Sequence, residues 1–351
     1  MRGVAALIVA GYHADLLWGF KAGSGYLAVD LFFVLSGFVL AHAYDSRFER
    51  GMTAREFMRI RLIRLYPLYL LGLVAVTTAI LADYLVAKHV SWTPRGLAES
   101  LLLSFGFLPT PPGIAPRESI YPLNTPAWSL AFELVVNLAW ALTWRHLSNR
   151  VLTVIVIVAG VALVAVSSVF GSLDVGWTWP SLLAGFPRVT FSFLLGVLLL
   201  RLRRGGALQV IHVPAILPLA AILILLMIQP AAHLRPAYDL TCVVILFPLL
   251  MLASAQSPPQ GRLALVFGFT GAISYALYAL HFPILEVVFA AFTSLTHGHV
   301  EKVAPWGGIL SMTLFLVVAW LADQYWDRPI RNRLTAQSRR VQQAGRSIPA
   351  R

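Results

Sequence analysis

The stretch RGVAALIVAGYHADLLWGF, residues 2–20, decides how the chain is read. Arg2 opens it, and His13 stands eleven residues later inside an otherwise apolar run. At about 1.5 Å per residue, residues 3–20 nearly match the ~30 Å hydrocarbon thickness of a bilayer. Runs of the same kind recur to the end of the chain. Its 351 residues are 58% hydrophobic and only 12% charged, whereas an ordinary soluble domain carries about 25% charged residues. The mean hydropathy is +0.76. The sequence predicts an all-α, polytopic integral membrane bundle.

Ten spans are expected, at 3–20, 26–44, 62–82, 126–144, 151–170, 181–200, 210–229, 237–254, 268–291 and 306–326. An eleventh apolar segment, 97–108, is too short to cross and is expected to lie at the interface or to re-enter. The first run is not read as a cleavable signal peptide, because no small-x-small site ends it and another span follows. The abrupt start at Met1-Arg2 suggests that a few residues precede it.

Orientation follows from Lys and Arg. With a cytoplasmic N-terminus, 20 of the 27 fall in inside segments and 6 in outside ones, with Arg188 inside a span. The positive-inside rule therefore puts both termini in the cytoplasm. It also accounts for the net charge of +12 without nucleic acid. Residues 1–330 read as a single transmembrane domain, and 331–351 as a basic, unstructured cytoplasmic tail near anionic headgroups. The expected home is the inner (plasma) membrane. One cysteine, Cys242, leaves no internal disulfide and no Cys-based metal site, and no metal is expected. Oligomeric state is not legible.

Five ionisable residues inside the expected spans are singled out near the midplane or in the outer half: His13, Asp30, Glu133, Arg188 and His281. Each ionised group there costs about 2.5–3.5 kcal/mol on insertion scales. Five scattered in lipid would exceed an ordinary stability margin, so a shared polar interior is expected. Blander readings exist for each. A lone histidine often only bridges two helices, and His281 could simply pack before the kink at Pro283. Asp30 could be a structural partner of Arg188 or of either histidine. Ser129, Glu133 and Asn137 repeat at i, i+4 and i+8, which makes one polar stripe on an apolar helix. Six arginines between Arg47 and Arg64 exceed what topology needs. Such a mouth suits a phosphate-bearing ligand from the cytosol. Arg2 and His13, eleven residues apart, share one helix face.

These residues lie in motifs that resemble the membrane-bound acyltransferase family 3. RGVAALIVAGYH (2–13) resembles its Arg-x10-His opening, and GYLAVDLFFVLSGFVLA (25–41) its second span. RIRLIRLYPLY (59–69) resembles its Arg-x-x-Arg element, and NTPAWSLAFEL (124–134) its Trp-Ser-Leu-x-x-Glu element. ISYALYALHFPIL (273–285) and YWDRPIRNRL (325–334) resemble the late and closing elements, with Asp327 where Glu is more usual. The resemblance covers nearly the whole chain. It implies transfer of an acyl group, usually acetyl, from cytosolic acyl-CoA to an acceptor at the outer face. The acceptor would be a hydroxyl of a saccharide, a glycolipid or a secondary metabolite. It implies that His13 is catalytic, with Arg2 as its motif partner, and that Arg61 and Arg64 hold the donor. Asp30, Ser36, Trp128 and Glu133 would line the site.

The chemistry is consistent with this. Acyl transfer to a hydroxyl needs a base or a nucleophile, and a largely neutral imidazole can be either. Glu133 or Asp30 is expected on its other ring nitrogen as an orienting carboxylate. Ser36, Trp128 and Tyr278 are the candidate oxyanion donors, and Arg188 and His281 complete the expected lining. A continuous wet shaft should join the arginines to His13. The competing class is a multi-span carrier or channel, which would show transport without covalent chemistry.

Overall fold

A backbone in hydrocarbon must satisfy its own N–H and C=O groups, and here it does so by helix formation. The computed structural model describes residues 1–86, 91–208, 213–256 and 259–346. In chain order the main helices are α1 (Arg2–His13), α2 (Ala28–Glu49), α3 (Ala54–Val86), α4 (Pro94–Phe105), α5 (Ala127–Thr143) and α6 (Asn149–Phe170). They continue as α7 (Gly185–Arg204), α8 (Ile216–Met227), α9 (Ala232–Gln256), α10 (Gly261–Leu295), α11 (Trp306–Ala322) and α12 (Arg328–Arg346). Strands are absent among the described residues, where β pairing is confined to an isolated bridge between Ser119 and Thr178.

Among the described residues, eight helices are long and apolar enough to cross a membrane. The remaining two expected spans are shorter than read. The first stops as a helix at His13, and a single turn, Asp15–Trp18, carries the chain on to Gly19 in the left-handed conformation. The seventh is the 12-residue α8, and residues 209–212 at its expected start lie outside the described residues. The segment expected to fall short of spanning is the 12-residue α4, capped by Thr93. The tail expected to be unstructured from 331 instead continues α12 to Arg346, and residues 347–351 lie outside the described residues.

The frame that carries the site is the pairing of α2 with α7. A Cβ at Gly37 would lie 1.9 Å from the Phe193 carbonyl oxygen, and one at Gly196 2.2 Å from that of Val34. The two backbones therefore touch where neither residue has a side chain, the small-residue packing typical of membrane helices. Two ion pairs clamp the same helices, Asp30 with Arg188 and Asp45 with Arg201. Both pairs ascend in step, so the helices run parallel, as three intervening crossings (α3, α5 and α6) require. The first helix packs on α10 in the same sense. A Cβ at Gly3 would meet Thr270 at 2.5 Å, and His13 meets His281 further along. Pro283 cannot donate to the carbonyl of Ala279, and the amide of Asn124 donates to it at 3.1 Å instead.

Gly37→Val should separate α2 from α7, at a cost of about 1–3 kcal/mol or more. Gly268→Ala, facing open space inside α10, should instead hold stability or raise it by up to about 1 kcal/mol. Thermal melts of the two purified variants in detergent check this.

Candidate functional site

The first helix supplies both ends of the site. Arg2 and His13 lie about 16 Å apart along its axis at the ordinary helical rise. Arg2 lines a cavity of about 700 Å³ with Ser36, Arg61, Arg64, Glu133 and Tyr278, called the arginine cavity below. His13 lines a second one of about 850 Å³ with Tyr12, Trp128, Asp174, Arg188 and Tyr278, called the histidine cavity. A wide basic vestibule of about 1910 Å³, lined by Arg47, Arg50, Arg59, Arg64, Arg328 and Arg331, adjoins the arginine cavity through Arg64. The expected continuous shaft is thus divided. Tyr278 alone among the described residues lines both inner cavities. Its hydroxyl donates to the Pro126 carbonyl at 3.0 Å and meets Ser129 Oγ at 2.5 Å.

In the arginine cavity, Glu133 holds the centre. Arg61 donates to its Oε1 at 2.6 Å and Ser36 Oγ at 2.5 Å. The stripe read on α5 is therefore used twice: Glu133 faces α2 and α3, while Ser129 one turn earlier faces α10. Asn137, the third member, is fully buried. Arg64 lies 3.6 Å from Asp327 and places its guanidinium 5.7 Å from the centre of the Tyr275 ring. A π-helical turn, Asp323–Asp327, turns two acidic residues of the closing element toward these cations. Arg331 reaches Asp327 at 2.9 Å, Arg328 reaches Asp323 at 2.8 Å, and Trp326 donates to the Pro67 carbonyl at 2.9 Å. The residue that departs from the family pattern, Asp327, thus still meets the arginines.

In the histidine cavity, the orienting carboxylate expected on His13 is not found. Its Nδ1 lies 2.9 Å from the carbonyl of Val9 and 3.1 Å from Nε2 of His281. Glu133 is taken by Arg61 and Ser36. Asp30 is taken by Arg188, at 2.5 Å and 3.2 Å, and among the described residues it lines neither cavity. Arg188 also donates to the carbonyls of Val175 and Tyr26, and sits 5.2 Å over the Trp128 ring. Its role here is to tie α2, α7 and the 171–181 loop together. His281, the weaker of the two histidines from sequence, is the residue brought against His13.

Three residues on this side escaped the sequence reading. Tyr12 donates to Asp174 at 3.0 Å, and both line the histidine cavity. Asp239, in α9, accepts from Tyr26 at 2.8 Å and from the Leu173 backbone at 2.8 Å. A carboxylate in an apolar run was a signal available in the sequence. Asp174 offered none, being a lone acid in a loop whose partner lies 162 positions away.

A family model described as an acyltransferase domain matches residues 1–323. A protein of Rhizobium radiobacter named protein 2 in the picA locus is 38% identical over 176 residues, covering 48% of this chain and 91% of its own length. Acyltransferase MdmB of Streptomyces mycarofaciens is 37% identical over 123 residues, covering 34% of this chain and 29% of its own. Peptidoglycan O-acetyltransferase OatA of Listeria monocytogenes is 26% identical over 367 aligned positions, 94% of this chain. The chain spans only about half of OatA, at 55% of its length. No solved structure matches.

Arg188→Leu strands the Asp30 carboxylate in a fully buried position. It should cost about 3–5 kcal/mol, while Asp30→Leu combined with Arg188→Leu should recover most of that. Chemical or thermal unfolding of both variants in detergent checks the pair.

Proposed function

This chain belongs to acyltransferase family 3, and on that premise we propose that it moves an acyl group, acetyl by preference, from cytosolic acyl-CoA to a hydroxyl at the opposite face. It is an acyltransferase with several membrane-spanning helices. The acceptor class in this proposal is a saccharide, glycolipid or secondary-metabolite hydroxyl, in keeping with the printed name of OatA. Also part of the proposal are ten membrane segments, both termini in the cytoplasm, and residence in the inner membrane.

The observation that carries the reading is the order of the three cavities. Arginines surround the first two, an imidazole faces the third, and Tyr278 is the wall between donor side and acceptor side. The nucleotide phosphates of the donor would stay with the vestibule arginines and Arg64, where charge-assisted contacts are strongest. Arg2 and Arg61 would then border the pantetheine arm. The thioester would meet the acceptor beside Tyr278 without the phosphates entering hydrocarbon.

There His13 acts as general base. Its Nε2 takes the proton of the acceptor hydroxyl while that oxygen bonds to the thioester carbonyl carbon. The carbon–sulfur bond then breaks, and the sulfur takes the proton back from the imidazolium and leaves as free CoA thiol. Tyr278 and Trp128 are the oxyanion donors nearest this junction. Ser36, weighed with them from the sequence, donates to Glu133 in the arginine cavity. Glu133 acts by holding Arg61, and Asp30 by holding Arg188.

His13→Ala should lower acyl transfer by about 10²–10⁴-fold with unchanged membrane insertion, read as labelled acetyl transferred from acetyl-CoA in native membranes. Full activity in that variant would refute the base. Arg61→Gln with Arg64→Gln should raise KM for acetyl-CoA far more than KM for the acceptor. An unchanged donor KM would reduce these arginines to topology anchors.

A further inference from the structure

We infer that His281 is a positioning residue that sets which nitrogen of His13 carries the lone pair and holds that ring against the histidine cavity. The inference rests on His13 being the base.

The argument starts from what each ring nitrogen faces. His281 Nδ1 lies 3.0 Å from the Leu277 carbonyl and 2.8 Å from that of Tyr278. Carbonyl oxygens only accept, so this nitrogen carries the hydrogen. The neutral ring then has its lone pair on Nε2, which faces His13 Nδ1 at 3.1 Å. On His13, Nδ1 faces two acceptors, that lone pair and the Val9 carbonyl at 2.9 Å. It therefore also carries the hydrogen, shared between them. The lone pair of His13 is left on Nε2, the atom a general base must present. The opposite tautomer would set a lone pair against two others.

Val9 holds the ring only from within its own helix. His281 holds it from α10, and so fixes the imidazole relative to Tyr278 and the cavity wall. His281 is itself rigid. It is fully buried, has Phe315 across one side at 6.5 Å, and lies two residues before the helix opening at Pro283. Phe282 closes on the His13 ring edge at 5.6 Å. The two imidazoles do not form a metal site, since one proton lies between the facing nitrogens. Among the described residues no group of three His, Cys, Asp or Glu could hold a metal. The arrangement performs the orienting part of a catalytic triad with a neutral group in place of the carboxylate. When His13 takes up the acceptor proton, its Nδ1–H becomes a charge-assisted donor to both partners and strengthens as the charge forms.

Two variants separate this role from general packing. His281→Asn keeps an amide close to its own helix but is too short to reach His13. His281→Gln keeps a carbonyl oxygen where Nε2 stands, able to accept from His13 Nδ1. The Asn variant should lose about 10²-fold in kcat, the scale of a misplaced catalytic group, with KM for acetyl-CoA and acceptor unchanged. The Gln variant should retain most of the rate. Nitrogen-15 NMR of histidine-labelled protein should show His13 protonated at Nδ1 in the parent and in Gln, and a mixture of tautomers in Asn. The resonance is assigned by its absence in His13→Ala. Equal kcat in the Asn and Gln variants, whether full or reduced, overturns the positioning role, as does a His13 resonance that stays Nδ1-protonated in Asn. Activity persisting in His13→Ala would instead remove the reading on which the inference rests.

Discussion

A charged side chain in hydrocarbon must find its opposite inside the protein, and that constraint organises this bundle. Asp30 and Arg188 are 1% exposed or less and meet in a two-point contact. Asp45 and Arg201 repeat the device toward the other end of the same helices, with Trp144 donating to Asp45 at 2.7 Å. Between them the bare backbones of Gly37 and Gly196 let α2 and α7 touch. Truncating one partner of a buried pair is costly because the other charge is stranded, so the clamp holds only as a set. On this rigid pair hang Ser36, facing one cavity, and Arg188, facing the other.

The same constraint shapes the chemistry. The two carboxylates expected on the histidine are committed to cations, Glu133 to Arg61 and Asp30 to Arg188, while Asp174, in the same cavity as His13, accepts from Tyr12. What reaches His13 is a backbone carbonyl and a second imidazole. A neutral base beside a neutral partner needs no counter-ion at rest. Charge arises only during reaction, when the imidazolium forms, and the dipoles facing Nδ1 are already aligned for it. Arg2, Arg61 and Arg64 line the cavity on the far side of Tyr278, where the donor's phosphates would be, and the one arginine of the histidine cavity among the described residues, Arg188, is paired with Asp30.

Much of this was legible in the sequence because hydropathy and motif spacing are local. Eight of the ten spans and the shared face of Arg2 and His13 followed from runs and periods, whereas Glu133 was expected beside His13 and is found with Arg61, Arg64 and Ser36 instead. The break of α1 at His13 was not legible, since the apolar run continues through Leu16 and Leu17 with no proline to stop it. The partners of His13 were misread for a different reason. Depth ranks residues along the membrane normal but says nothing of which helices are neighbours. Glu133 or Asp30 was the expected partner and His281 only part of the lining, until α1 was seen against α10. Asp174 and the loop that carries it depend on contacts 66 and 162 positions apart in the chain, beyond any periodic signal.

The central claim is that donor and acceptor cavities meet at Tyr278, with the His13 Nε2 lone pair on the far side. An experimental structure with a non-hydrolysable acetyl-CoA analogue, its thioester sulfur replaced by methylene, tests this most directly. The account expects phosphate density among the vestibule arginines and the analogue's carbonyl oxygen within hydrogen-bond reach of Tyr278, facing His13. An analogue lying wholly within the vestibule and arginine cavity, with the Tyr278–Pro126 contact still closed between it and the imidazole, would contradict it.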